Sequence, residues 1–243
     1  MVYTSMVWYI LVYTIPFKGK KMIILMGQTK GGVGKSMLSA NLAVYAVHEG
    51  KNVLLIDADK QQTTSKWASV RTVEQVKPVI QSATLAIDKR TDAKAFAKKI
   101  KALSEEYDDV IIDCGGQDSR ELRTSLAIAE CLIAPCRPSQ ADIWGLGDLD
   151  DLVKQVEAIN PNLTATAIFN LADGLNVHNA LGQSKEAIEE LDCIQLGDVK
   201  ILSRPTLASA YQDGQGARDL NQSKEPAKKA TAEIAKLYNI IYG

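Results

Sequence analysis

The chain has 243 residues, 46% of them hydrophobic and 23% charged, with a formal net charge of −1. That length and balance suit one α/β domain with a full core. They exclude a collagen-like or generally disordered chain, and they leave no overall charge with which to hold a polyanion.

Met1–Phe17 is apolar around Trp8–Val12, and Lys18, Lys20 and Lys21 follow it. A secretory signal places its basic residues first, and a spanning helix needs about 20 apolar residues, whereas Pro16 interrupts this run. Residues 1–21 are therefore read as an extension preceding the domain at 22–243. Three readings stay open: a start-site artefact with the real beginning at Met22, a membrane-contacting tail, or an extra packed strand. The first is favoured, because Met22–Met26 already reads as a complete apolar strand. No stable membrane insertion is expected.

Between that strand and a helical pattern at Ser36–Glu49 lies Gln28-Thr29-Lys30-Gly31-Gly32-Val33-Gly34-Lys35-Ser36. A tight glycine turn lets backbone N–H groups converge on an anion, and the helix start behind it adds positive potential. In such a loop Lys35 reaches the β and γ phosphates of a nucleotide and Ser36 places a hydroxyl on Mg²⁺. Lys30, Gly31, Gly32, Val33, Gly34, Lys35, Ser36 and Met37 are accordingly the candidate ATP-binding residues.

The next apolar run, Val53–Ile56, ends in Asp57-Ala58-Asp59, and a later one, Val110–Ile112, ends in Asp113-Cys114-Gly115-Gly116. A lone strand-terminal Asp is usually a cap. Three of them beside a phosphate loop point to a metal–nucleotide site at the carboxyl edge of a sheet. Further strands are expected at Val79–Ile80, Leu132–Ala134, Ala165–Phe169 and Val199–Leu202. Helices are expected at Gln62–Val70, Asp92–Glu106, Ser119–Ala129, Gly147–Ile159 and Asn179–Leu191, with two more after Pro205 and Pro226. This alternation predicts a single-domain P-loop NTPase of the α/β class, with a mostly parallel twisted sheet and helices on both faces. Ten Lys and Arg against three acids between Lys60 and Lys101 mark a candidate polyanion surface. Four cysteines (Cys114, Cys131, Cys136, Cys193) without a C-x-x-C pair read as reduced, cytosolic thiols.

Thr29 stands where the usual loop has glycine, and Lys30 precedes the glycines. In this the chain resembles the deviant Walker ATPases, the family of the partition ATPase ParA, the cell-division ATPase MinD and the nitrogenase iron protein. Ser119–Thr124, Pro135–Ser139 and Asp142-Ile143-Trp144 look like the small partition members without an N-terminal DNA-binding domain. The resemblance implies that Lys30 crosses a homodimer interface to phosphates bound by the other subunit. It implies that Asp59 positions the attacking water, with Lys30 and Lys35 as its catalytic partners, and that Asp57 and Asp113 join Ser36 around magnesium. The family usually continues Asp-Pro-Gln where this chain has Asp59-Lys60-Gln61. Asn170 matches a position that often contacts adenine, and is equally a turn residue. The resemblance further implies nonspecific DNA binding, through Lys200, Arg204, Arg218, Lys224 and Lys228. It also implies a ParB-like adaptor and a cytoplasmic, nucleoid-associated protein that segregates a plasmid or similar cargo. The alternative is a MinD-like membrane-associated ATPase, which would need an amphipathic, basic C-terminal helix.

Overall fold

A computed structural model describes residues 21–88, 91–171 and 177–242. The extension through residue 20, and Lys89 and Arg90 of the basic block, lie outside these. Among the described residues the strands are β1 (Met22–Met26), β2 (Val53–Ala58), β3 (Gln81–Thr84), β4 (Asp109–Cys114), β5 (Cys131–Cys136), β6 (Thr164–Asn170) and β7 (Gln195–Ile201). The helices are α1 (Lys35–His48), α2 (Thr63–Val73), α3 (Ala93–Ser104), α4 (Arg120–Leu126), α5 (Gln140–Val156), α6 (Val177–Glu189), α7 (Pro205–Gln212) and α8 (Glu225–Tyr242). The strands form one sheet in the order β3-β2-β4-β1-β5-β6-β7, and every pairing is parallel.

Side-chain alternation along the central strands divides the core in two. Ile23, Leu25, Ile56, Val110 and Ile112 pack beneath Phe96 and Ile100 of α3, Leu122 of α4 and the α5 row Leu146, Leu149 and Val153. Ile24, Met26, Leu55 and Ile111 point the other way, toward Leu38 and Leu42 of α1, Trp67 of α2 and Ile234 and Leu237 of α8. A strand buried on both faces has no polar side to show, so β1 and the heart of β4 read as unbroken apolar runs. Each fully buried Leu or Ile contributes about 1.5–3 kcal/mol from its removal from water.

The topology also places the site. The chain leaves β1 toward β2, whereas it leaves β4 across β1 toward β5. The crevice at the carboxyl ends of β1 and β4 is where such connections diverge, and where open α/β sheets bind ligands.

Two elements depart from expectation. The β3 strand is Gln81–Thr84 rather than Val79–Ile80, because an edge strand covered on one side need not be apolar, and Val79 is exposed. Helix α5 begins seven residues before Gly147: Ser139 caps it by accepting from the Asp142 amide, and its two glycines do not break it. The basic block does not make one surface. Arg71 is buried, pairing with Asp219 at 2.7 Å and donating to the carbonyls of Pro78 and Gly214. Lys66 lies on α2 and Lys94, Lys98, Lys99 and Lys101 on α3, helices that pack on opposite faces of the sheet.

Candidate phosphate-binding site

The loop between β1 and α1 is held from three sides. From α5, Thr29 donates to the Gly145 carbonyl at 2.9 Å, and a Cβ on Gly145 would come within 2.5 Å of Cγ of Lys30. From the turn after β4, Gly116 lies so close that a Cβ there would sit 2.7 Å from the Gly31 backbone. From β6, the Asn170 amide donates to the Val33 carbonyl at 2.7 Å. Gly32 and Gly34 take left-handed backbone angles, φ 73° and 90°, which a side chain would strain. Gly31 and Gly32 are exposed at the mouth, whereas Val33 is buried and anchors the turn.

Lys35 opens α1 and is only 6% exposed. Its ammonium donates to the Lys30 carbonyl at 2.9 Å, folding back over its own loop. Burial lowers its pKa, and that effect outweighs the nearby Asp113 and Asp59 carboxylates, which oppose it. An underpaid cation at the floor of a glycine loop is a charge made for an anion.

Asp57 and Asp113 are register neighbours at the ends of β2 and β4. Asp113 is fully buried, and desolvation pushes its carboxyl up to about 7 although Thr64, Ser36 and Lys35 oppose that rise. Its Oδ2 accepts from the Thr64 hydroxyl at 2.5 Å, while Oδ1 has no hydrogen-bond partner. An orphaned carboxylate oxygen beside Lys35 and Ser36 fits a hydrated magnesium ion held through water. Asp57 is different. Both of its oxygens are engaged by backbone amides, Oδ1 by Asp59 at 3.0 Å and Oδ2 by Ser65 at 2.7 Å. In this arrangement it ties down the turn that presents Asp59 and starts α2, rather than offering an oxygen to a metal. Asp59 is half-buried against Gly115, and its Oδ1 accepts from the Gln61 amide at 3.0 Å.

Lys35, Ser36 and Asp59 border a cavity of about 590 Å³, large enough for a nucleotide's phosphates and their surroundings, whereas Asp57 and Asp113 lie behind its lining. Its lining includes Gly31, Gly32, Gly34, Lys35, Ser36, Met37 and Asp59 from the expected set. It also includes Gln117, Glu121 and Tyr211, which sequence reasoning passed over. Thr64 is the more important omission. The paired threonines just after Asp59 were the available signal, but only the fold brings Thr64 under β4.

Residues 24–217 match the family described as the CobQ/CobB/MinD/ParA nucleotide binding domain. The chain belongs to this family. It is 22% identical to Protein ParA of Rhizobium radiobacter over 89% of this chain and 93% of the relative. To the chromosome-partitioning ATPase Soj of Thermus thermophilus it is 30% identical over 68% and 74% of the two chains. Among solved structures, a Borrelia burgdorferi B31 protein described as a plasmid partition protein, bound to AMPPNP, superposes with a TM-score of 0.66. That likeness is at 18% identity and covers 91% of this chain and 100% of the other. The chain is thus a nucleotide-binding ATPase of the ParA/MinD family.

Within that family frame, two further sets of expected residues behave unevenly. Asn170 is fully buried; its Nδ2 donates to Val33, and its Oδ1 has no hydrogen-bond partner. As placed here it buttresses the loop from beneath and does not border the cavity, so an adenine contact would need its side chain to turn. Of the DNA candidates, Lys200, Lys224 and Lys228 are exposed and have no ion-pair partner among the described residues. Arg204 is a half-buried partner of Glu233, with Nε 3.1 Å from Oε2. Arg218 faces Glu49 at 3.6 Å and lies over the Tyr45 ring. Arg204 thus ties the start of α7 to α8, whereas the exposed Arg218 pair holds little.

Proposed function

We propose that this ATPase works as a DNA-based partition protein, with ATP and Mg²⁺ as its cofactors. In this reading ATP joins two subunits into a dimer that binds DNA without sequence preference, and a ParB-like adaptor on the cargo stimulates hydrolysis. The observation that carries the reading is Lys30. Its stem packs against Gly145 at the mouth of the loop, and its ammonium has no ion-pair partner among the described residues. A cation so placed is available to phosphates outside its own subunit. The partition names of the Thermus and Borrelia relatives support the same reading.

The chemistry follows from charge. Hydrolysis of a phosphoanhydride needs negative charge held and water aligned, with little covalent work for the protein. Lys35 and the loop amides hold charge, and Ser36 and Asp113 are the residues that would hold magnesium, which neutralises phosphate charge when bound. Asp59, kept in place by Gln61 and Gly115, orients the attacking water.

The membrane-docking alternative draws less support from the C-terminal helix. Ile234 and Leu237 of α8 are buried against the sheet, and Tyr238 packs on Tyr45 and Tyr242. The Tyr242 hydroxyl donates to Asp109 at 2.5 Å. The apolar face that a membrane would need is already used inside the protein. No helix among the described residues is long and apolar enough to cross a membrane.

Fluorescence anisotropy with random-sequence duplex DNA tests the reading. Tight, salt-sensitive binding in ATP and little in ADP is expected. Intact ATP hydrolysis with no DNA binding in either nucleotide would move the protein to a membrane- or protein-positioned role.

A further inference from the structure

Arg137 follows β5 on the far side of the loop from Asp59. Its backbone amide and its Nε both donate to Oδ2 of Asp142, at 2.9 and 3.0 Å. Asp142 is 3% exposed and sits in the first turn of α5, so the arginine is clamped by a carboxylate that itself has little freedom. A guanidinium carries five N–H donors, and this clamp uses the single one on Nε. Nη1 and Nη2 have no hydrogen-bond partner among the described residues, and the side chain is 46% exposed. The Nη2 edge faces the phosphate loop: it is the one group within 4 Å of a Cβ built on Gly32, at 4.0 Å. Gly32 is exposed and also lines the cavity.

We propose that Arg137 is a phosphate-binding residue acting within its own subunit, and that Asp142 is its positioning residue. The chemistry it recognises is a polyphosphate. A planar guanidinium fixed at one edge presents its other edge as a ready fork for phosphate oxygens, and the fork is pre-ordered before the ligand arrives. Lys35 meets the phosphates from the floor of the loop, and Arg137 meets them from its outer rim. The two cations approach from different elements, α1 and the segment after β5. Neither the glycine-loop pattern nor the strand-terminal aspartates identify the second one.

This inference rests on the nucleotide-site reading, and the experiment separates the two. Affinities of the full-length protein for fluorescent ATP and ADP analogues are measured for the native chain and for R137Q, R137K, D142N and K35A. The expected result for R137Q is a loss of roughly tenfold or more, as for removal of one charge-assisted contact. R137K, which keeps charge without the fork, recovers part of it. D142N gives a smaller loss, because the arginine remains but is no longer aimed. R137Q and R137K both lose the Nε bond to buried Asp142, so a small drop in nucleotide-free melting temperature, similar in the two, is expected, whereas their nucleotide affinities differ. Native affinity in R137Q together with lost affinity in K35A overturns the role of Arg137 and leaves the nucleotide site standing. Native affinity in both overturns the site itself. Affinity that falls equally in R137Q and R137K, only in proportion to melting temperature, assigns the arginine a structural role and also overturns the proposal.

Discussion

The Thr64 hydroxyl donates to Oδ2 of Asp113 at 2.5 Å, joining the start of α2 to the end of β4 beneath the phosphate loop. Both groups are fully buried, so neither has water to fall back on. Thr64→Val keeps the shape and removes the donor. It should destabilise the protein by about 1–3 kcal/mol, the cost of leaving a buried acceptor unsatisfied, and slow ATP hydrolysis. Thr64→Ser should recover most of both. Urea unfolding and phosphate release check this, and native behaviour in the valine variant would deny the pair any role.

Asp113 also makes a pH prediction. Burial raises its carboxyl to about 7 in the folded protein, against about 3.9 in an unfolded chain. The folded state therefore keeps this proton where the unfolded chain has lost it. The resulting stabilisation is complete below the unfolded value, declines as pH rises between the two, and is gone above about 7. Nucleotide-free protein should thus lose melting temperature from about pH 5 to about pH 8 more steeply than Asp113→Asn, which has no such titration. Parallel melting curves would contradict the shift.

Lys30 and Lys35 should separate on mutation. Lys35 is at the floor of its own loop, so Lys35→Ala should abolish nucleotide binding. Lys30→Ala should keep measurable nucleotide binding and lose hydrolysis or ATP-dependent dimerisation. Light scattering with ATP and a phosphate-release assay read the two effects. Unchanged hydrolysis in Lys30→Ala would remove the cross-subunit role.

The fit between Gly34 and Asn170 is a fourth test. A Cβ on Gly34 would lie 2.2 Å from the Asn170 amide nitrogen, at a backbone φ of 90°. Gly34→Ala should therefore fail to bind ATP and lose stability, by more than the ~1 kcal/mol typical of an alanine at positive φ. Asn170→Ala relieves the clash and removes the support under Val33. The double variant should be less damaged than the sum of the two singles. Additive losses in calorimetry would show that the two residues do not couple.

Charge reversal distinguishes free from committed cations on the proposed DNA surface. Lys224→Glu with Lys228→Glu should weaken ATP-dependent DNA binding and flatten its salt dependence by about two released counterions, with ATP binding intact. Arg204→Glu should instead destabilise the fold, because it faces Glu233. DNA affinity unchanged in the double lysine variant would move the interface elsewhere.

The order of strands and helices, the glycine turn between β1 and α1 and the aspartates at the ends of β2 and β4 were legible without coordinates. Each rests on local physics: an apolar run buried on both faces, glycines at left-handed angles, a carboxylate at a strand end. Where local cues were weak, the reading slipped. The edge strand β3 is polar and exposed, and α5 tolerates glycines inside its first turns because Leu146, Leu149 and Val153 pack it down.

The chain alone thus determined where the glycine turn and the strand-terminal carboxylates lie and which kinds of side chain surround them. Only the tertiary structure decided what each group is free to do. Asp57 accepts from two backbone amides and Arg71 is held by a buried carboxylate, whereas Asp113 and Asn170 each keep an unpartnered oxygen. The reason is that hydrogen-bond partners such as Thr64 for Asp113 lie 49 residues away in the chain, and nothing local encodes them. They meet because the parallel sheet brings the ends of β2 and β4 side by side.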